Sequence, residues 1–167
     1  YRATKSMQLK KRKNIAFISR INDLSVGKLR ERGYNKAILE ESNQEPLVLN
    51  LKKKDDSQQK IKAFFKKHKN IDGVISADSS SGIIAINTAL NKGYKVPKDI
   101  SVIGFASKSV SNHSIPRLSI IRQHANQIGA NAADLLINRL EKKFDEEIEF
   151  KTKIVKTSLV LSKSTLK

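Results

Sequence analysis

Val96-Pro-Lys-Asp-Ile-Ser-Val-Ile-Gly-Phe-Ala-Ser-Lys108 (VPKDISVIGFASK) decides the fold. Pro97-Lys98-Asp99 reads as a turn, and the run that follows is apolar without alternating. A strand that is apolar at every position is buried on both faces, which is the habit of parallel sheets covered by helices. The strand closes on Gly104-Phe105-Ala106. In open parallel sheets, ligands bind just past the carboxyl ends of strands. Ala106 therefore stands where a binding group is expected, yet it has no polar atom to offer.

The pattern repeats outward from this stretch. Short apolar strands are expected at Ile15–Ser19, Leu47–Leu51, Asp72–Ala77 and Leu118–Arg122. Helical spacing lies between them. A helix capped by Ser25 runs to about Glu41 with Val26, Leu29, Ala37 and Ile38 inward. Another carries Ile61, Ala63, Phe64 and Phe65 and ends near His68. A third runs over Ser79–Lys92 and is closed by Gly93. Residues 3–12 form a further helix with Ala3, Met7 and Leu9 inward. His124–Lys143 shows an apolar stripe of Ala125, Ile128, Ala132, Leu135, Leu136 and Leu140. Residues 150–161 suit short extended segments, and 162–167 read as a frayed end. Alternating strands and helices imply βαβ units, hence an α/β fold around a parallel sheet.

Composition narrows the function. With no cysteine among the 167 residues, disulfides and thiolate metal sites are excluded. The apolar runs are too short to span a membrane, and no secretory leader is expected in YRATKSMQLKKRK. The net charge of +17 invites a nucleic-acid reading. However, Lys, Ile and Asn supply 25, 19 and 12 residues, a bias that an AT-rich genome produces by itself. The lysine clusters at 10–13, 52–54 and 66–67 also lack the interleaved Arg and aromatics of nucleic-acid readers. A direct nucleic-acid-binding domain would show steeply salt-dependent affinity for arbitrary duplex DNA; little such binding is expected.

Catalytic motifs do not occur. No GxGxxG, P-loop or GxSxG is present, so no cofactor is implied. His68, His113 and His124 are not spaced as metal ligands, and acidic residues such as Asp145-Glu-Glu147 fall in surface-like contexts. The chain reads as a binding protein and not an enzyme. Its candidate binding positions are Arg30, in the first turns of a crossover helix, Asp78, directly after the third strand, and Ala106, after the fourth. Arg suits bidentate recognition of carboxylates or paired hydroxyls, and Asp78 could accept ligand hydroxyls. On local sequence alone the other readings lead: Arg30 as a solvated helix residue among Lys28 and Arg32, and Asp78 as the N-cap of the helix that starts at Ser79.

Several stretches together resemble the C-terminal half of lactose-repressor-type (LacI/GalR) transcription regulators: "IDGVISADSSSGIIAINTALNKGYKVPKDISVIGFA", "IPRLSIIRQHANQIGANAADLLINRL", and "NIAFIS" with "LRERGYNKAI". The resemblance covers residues 3 to about 165. It implies a truncated, Rossmann-like, parallel-sheet lobe of a periplasmic-binding-protein-like (type I) fold. Residues 12–122 plus 154–162 would form the C-terminal lobe, with 1–11 and 124–147 as remnants of an N-terminal lobe. It further implies a cytoplasmic homodimer and an effector, a sugar or related metabolite, bound between lobes. Operator DNA would be read only through a helix-turn-helix headpiece that this chain does not contain. Arg30 matches the family's effector-contacting Arg, three residues before Gly33-Tyr34. Asp78 matches a polar position that often touches effector, which sets the capping and contact readings level. Ala106 matches a position that usually holds an Asp binding sugar or purine hydroxyls. Gln123 matches a Gln at the crossover, where a hinge role is implied. The alternative is an exported sugar-binding protein of a transporter or chemosensor, which shares this fold. The bare apolar stripe of the helix at 124–143 is expected to be covered by a second copy of the chain or by displaced packing on its own lobe.

Overall fold

A computed structural model describes residues 1–41, 44–141 and 150–166. In chain order the elements are α1 (Arg2–Leu9), β1 (Ile15–Ser19), α2 (Ser25–Glu41), β2 (Leu47–Asn50), α3 (Ser57–Lys67) and β3 (Gly73–Ser76). They continue with α4 (Ser79–Asn91), β4 (Ser101–Phe105), α5 (Lys108–Asn112), β5 (Ser119–Arg122), α6 (Ala125–Leu140) and β6 (Ser158–Val160). The sheet order is β2-β1-β3-β4-β5-β6, and the pairs among the first five strands are parallel.

The apolar runs form strands because both sheet faces are covered. Successive side chains of a strand point to opposite faces. Along β1, Ala16 and Ile18 enter a core with Phe65, Ile86 and Leu118. Ile15 and Phe17 enter a second core with Met7, Tyr34, Ile75 and Ile103. A single strand thus feeds two cores, which is why no polar alternation is visible in its sequence.

Helix ends follow their local chemistry. Asp56 caps α3, its Oδ1 accepting the Gln58 and Gln59 amides at 3.0 and 3.1 Å. Gly93 follows α4 with φ +82°, where a side chain would be strained. The Gly93 amide donates to Leu90 O and the Tyr94 amide to Ala89 O, the paired bonds that close a helix on a left-handed residue.

Tyr34 ties α2 to the starts of two strands. Its hydroxyl donates to Ile15 O at 2.7 Å and accepts the Leu47 amide at 2.9 Å, at only 1% exposure. Tyr34→Phe leaves a buried amide and carbonyl short of a partner and is expected to cost ~1–3 kcal/mol in urea denaturation. Burial pushes this phenol up to about 12. In the unfolded chain it titrates near 10. Its contribution is therefore complete below pH ~10 and disappears as pH rises through about 12. The stability gap between wild type and the variant is expected to narrow across that interval.

The structure corrects four expectations. Leu9 does not face inward: it is 86% exposed, while Ala3, Thr4 and Met7 of α1 are buried in the compact unit made by Tyr1–Arg122 with Leu159–Lys167. Residues 162–166 are not frayed. Ser164 Oγ donates to Val102 O at 2.6 Å and accepts the Ser119 amide at 2.7 Å, and Thr165 Oγ1 lies 2.7 Å from Ser119 Oγ. The short helix α5, opened by Ser107 Oγ on the Val110 amide, follows β4 where none was expected. Val26 and Leu29 are exposed; α2 buries Gly27, Tyr34, Ala37 and Ile38 instead.

Gln123–Ser158 form the second compact unit. Within it α6 buries none of its residues, and Ile128, Leu136, Ile137 and Leu140 are exposed. Asp134 pairs with Lys153 at 3.6 Å, Arg139 stacks over Phe150, and His124 Nε2 lies 2.9 Å from Ser158 Oγ. The expected last turn of this helix, at 142–143, and the acidic Asp145-Glu-Glu147 lie outside the described residues.

Candidate functional site

The carboxyl ends of β3 and β4 and the first turns of α2 converge on one place. Arg30 follows from α2's geometry: two turns before the buried anchors Ala37 and Ile38, it projects from the helix toward the sheet. Its guanidinium donates to Ala77 O, at the end of β3, at 2.6 Å. It also lies over the Phe105 ring at the end of β4, with Cζ 3.9 Å from the centroid. Stacking a cation on an aromatic face in a partly desolvated place holds the guanidinium plane in a fixed orientation. Burial lowers the Arg30 pKa and the charge of Asp78 raises it, the burial being the larger effect. A guanidinium keeps its proton under either influence.

Asp78 is held by the fold. Its Oδ1 accepts the Ser81 amide at 2.9 Å, and its Oδ2 accepts Ser81 Oγ at 2.8 Å and the Arg20 amide at 3.1 Å. It caps α4 and pins the segment after β1, so the Ser79-Ser-Ser81 cluster serves the cap through Ser81. Ala106 is 9% exposed and packs in the core that contains Ala85, Ile86 and Leu118. Phe105, one residue earlier, faces the other side of the sheet, toward Arg30. Gln123 is exposed just after β5. Of the four positions singled out in the sequence, Arg30 lines a cavity of the larger compact unit.

That cavity has a volume of about 220 Å³. Its walls are Tyr1, Ala3 and Thr4 of the α1 end, Val26, Leu29, Arg30, Gly33 and Tyr34 of α2, and Ile75, Phe105 and Ile121 of the sheet. Phe105 and Thr4 are wall residues that the sequence did not single out, and Val26 and Leu29, expected in the core, line the cavity instead. For Val26 and Leu29 the signal was present: apolar residues at helical spacing can face a cleft as well as a core. The walls hold few hydrogen-bonding groups. The Tyr34 hydroxyl is spent on Ile15 and Leu47, and the Tyr1 hydroxyl donates to Glu40 at 2.6 Å. Thr4 is 1% exposed, and its hydroxyl has no hydrogen-bond partner among the described residues. No group of three or more His, Cys, Asp or Glu side chains among the described residues is placed to hold a metal ion. No helix among them is long and apolar enough to cross a membrane.

Comparison with known proteins places this geometry. Residues 8–165 match the periplasmic binding protein-like domain. The ribose operon repressor of Bacillus subtilis (strain 168) is 34% identical over 87 residues, 52% of this chain and 27% of that protein. The HTH-type transcriptional regulator RegA of Clostridium saccharobutylicum is 29% identical over 170 residues, 99% of this chain and 50% of that protein. Among solved structures, the transcriptional regulator CelR-cellobiose complex superposes with a TM-score of 0.84 at 24% identity, covering 96% of this chain and 49% of that one. The chain spans half or less of the length of these relatives.

Proposed function

The chain belongs to the periplasmic binding protein-like domain family in the form carried by LacI-type regulators, and on that premise we propose that it is the effector-binding and dimerisation region of a DNA-binding transcription regulator. A small molecule bound at the carboxyl edge of the sheet would modulate how a separate headpiece holds operator DNA. The observation that carries this reading is Arg30, fixed on Phe105 and Ala77 at the carboxyl ends of two strands and lining a cavity. Curated relatives are regulators by name, which favours this reading over an exported sugar-binding protein and over an enzyme. The corresponding location is the cytoplasm.

In this reading the residues divide the work. Arg30 meets the ligand, Phe105 orients Arg30, and Asp78 acts by capping α4 and holding the Arg20 segment. Ala106 supplies no acceptor, and Gln123 stands at the crossover between the two units. The expected result is a ligand-dependent change in operator affinity of the regulator that carries this chain, measured by fluorescence anisotropy, which Arg30→Ala reduces at least about tenfold in ligand concentration, a loss of ~1.4 kcal/mol. An unchanged ligand response in that variant would refute the assignment. The exposed Ile128, Leu136, Ile137 and Leu140 of α6 support a partner-covered face and thus a homodimer.

A further inference from the structure

We propose that the chain carries a second small-molecule site, for an organic phosphate monoester, on the edge of the sheet opposite Arg30. The site is a depression of about 570 Å³ lined by Asn112, Ser114, Arg117, Ser162 and Lys163 beside Leu161 and Leu166. All of these residues belong to the larger compact unit. Arg117 directly precedes the start of β5, and Ser164 is tied to Val102 and Ser119 at the starts of β4 and β5. The depression therefore stands at the amino ends of the strands, and its occupancy is independent of the effector reading above.

The charge of the depression is unbalanced. Arg117 and Lys163 are exposed, and neither side chain has an ion pair or a hydrogen-bonding partner among the described residues. The Ser164 amide donates to Arg117 O at 2.9 Å, so the two cations stand on adjacent backbones. Like charges on neighbouring chains repel, and no acid is among the residues that line the depression. Arg117 is not explained by the lysine excess of the composition, since the chain has 8 Arg against 25 Lys. The surrounding field has the same sign. The segments that lead into β1, β3 and β4 bring Lys11, Lys13, Lys69, Lys95 and Lys98 to this edge, while Asp72 and Asp99 of those segments accept the Lys13 and Lys95 amides. A concave surface of one sign concentrates counter-ions.

The walls are set before a ligand arrives. Ser114, 7% exposed, donates from Oγ to Ser111 O at 2.9 Å and accepts the Leu118 amide at 2.7 Å. Ser119 Oγ accepts the Ser162 amide at 2.8 Å. The carbonyls of Ser111, Arg117 and Ser162 are engaged by internal donors, which turns them away from opposing an anion. The donors left over are the Arg117 fork, the Lys163 ammonium and the Asn112 side-chain amide. Two cations and an amide suit the three terminal oxygens of a phosphate monoester, which carries close to two negative charges at neutral pH. A carboxylate would leave one cation unanswered. A volume of about 570 Å³ lies in the range of small-molecule sites and exceeds a lone phosphate, which leaves room for an organic body against Leu161 and Leu166.

The test is titration of the ¹⁵N-labelled 167-residue chain with ribose 5-phosphate, ribose and inorganic phosphate at low ionic strength, where exposed cations are least screened. Ribose 5-phosphate is expected to shift the amide signals of Asn112, Ser114, Ser162 and Lys163, with a dissociation constant on the order of millimolar or tighter. Ribose should leave these signals in place, and inorganic phosphate, which lacks the body, should bind more weakly. Arg117→Gln and Lys163→Gln should each weaken the ester about tenfold, the loss of one charge-assisted hydrogen bond. Lys13→Gln and Lys69→Gln remove the same charge from the same edge outside the depression and should leave its affinity nearly unchanged. All four substitutions fall on exposed side chains without internal partners, so folding is retained. Equal weakening by all four would reveal a diffuse cationic field and overturn the site. Displacement of the ester by an arbitrary DNA duplex at equal phosphate concentration would assign the edge to nucleic acid and overturn it too. Equal shifts from ribose, equal affinity for inorganic phosphate, or no shift at all would each do the same. Shifts centred on Ala77 and Phe105 would place the ester beside Arg30, sustaining the effector reading while overturning this one.

Discussion

Gly27→Ala is expected to destabilise the chain by ~3 kcal/mol or more, the severe end of overpacking effects. A Cβ at this position would fall within the backbone carbonyl of Ile21 and 3.2 Å from the Asn22 amide nitrogen. The obstacle is backbone, and it is fastened. Ile21 O already accepts the Leu24 amide at 3.1 Å, and Leu24 O accepts the Lys28 amide at 3.1 Å. The segment after β1 cannot retreat without breaking the turn that starts α2. If α2 moves instead, Tyr34 leaves its buried place and Arg30 leaves Phe105. Urea denaturation of the variant should show the midpoint falling with the slope unchanged. A loss below ~1 kcal/mol would show that the α2 start is far more compliant than its bonds indicate.

Phe17→Ala is the second large effect, expected at ~3–5 kcal/mol. Phe17 is 0% exposed at the centre of the core that joins α1, α2 and the sheet. Its ring stacks on Tyr34 with centroids 5.3 Å apart and planes 22° from parallel. The neighbours that would have to fill the vacated space are Met7, Ile75 and Ile103. Met7 can adapt, but the β-branched side chains on rigid strands have few rotamers to offer. A domain of ordinary stability, ~5–15 kcal/mol, would lose a large share of it. Thermal unfolding by circular dichroism reads the outcome; a near-neutral result would mean that Phe17 is not packed as described.

These two sites also show what the sequence could reveal. Phe17 was readable as core because Ile15–Ile18 of β1 are all apolar, the composition of a strand buried on both faces. The same logic located β3, β4 and β5 and hence the carboxyl edge on which the site stands. Gly27 was not readable: a glycine early in an amphipathic helix carries no mark that a carbonyl from the preceding loop lies against it. Val26 and Leu29 were misread because a 3.6-residue period reports an apolar face without telling a core from a cleft. The helix α5 escaped notice because Lys-Ser-Val-Ser-Asn offers a single apolar residue, and its start depends on the Ser107 hydroxyl. The order of residues 162–166 arises from hydroxyls bonded across to Val102 and Ser119, which hydropathy does not register.

The site was legible in part. Arg30 was identified through a motif, and its partners Phe105 and Ala77 lay in the very strands the sequence delimited. Asp78 carried two readings, and its three accepted bonds account for the capping one in full. Ala106 looked like a binding position lacking its group. In the folded chain it packs among Ala85, Ile86 and Leu118, while the preceding residue, Phe105, carries the Arg30 guanidinium on its ring.

The central claim is that a small ligand binds beside Arg30 at the carboxyl edge. Chemical-shift mapping of the ¹⁵N-labelled chain tests it most directly, with ribose and cellobiose titrated in turn. The account predicts that whichever probe binds shifts the signals of Thr4, Arg30, Ala77 and Phe105, and that Arg30→Gln removes the response. Shifts confined to the separate depression lined by Asn112, Arg117, Ser162 and Lys163, with Arg30 and Phe105 unmoved, would contradict it.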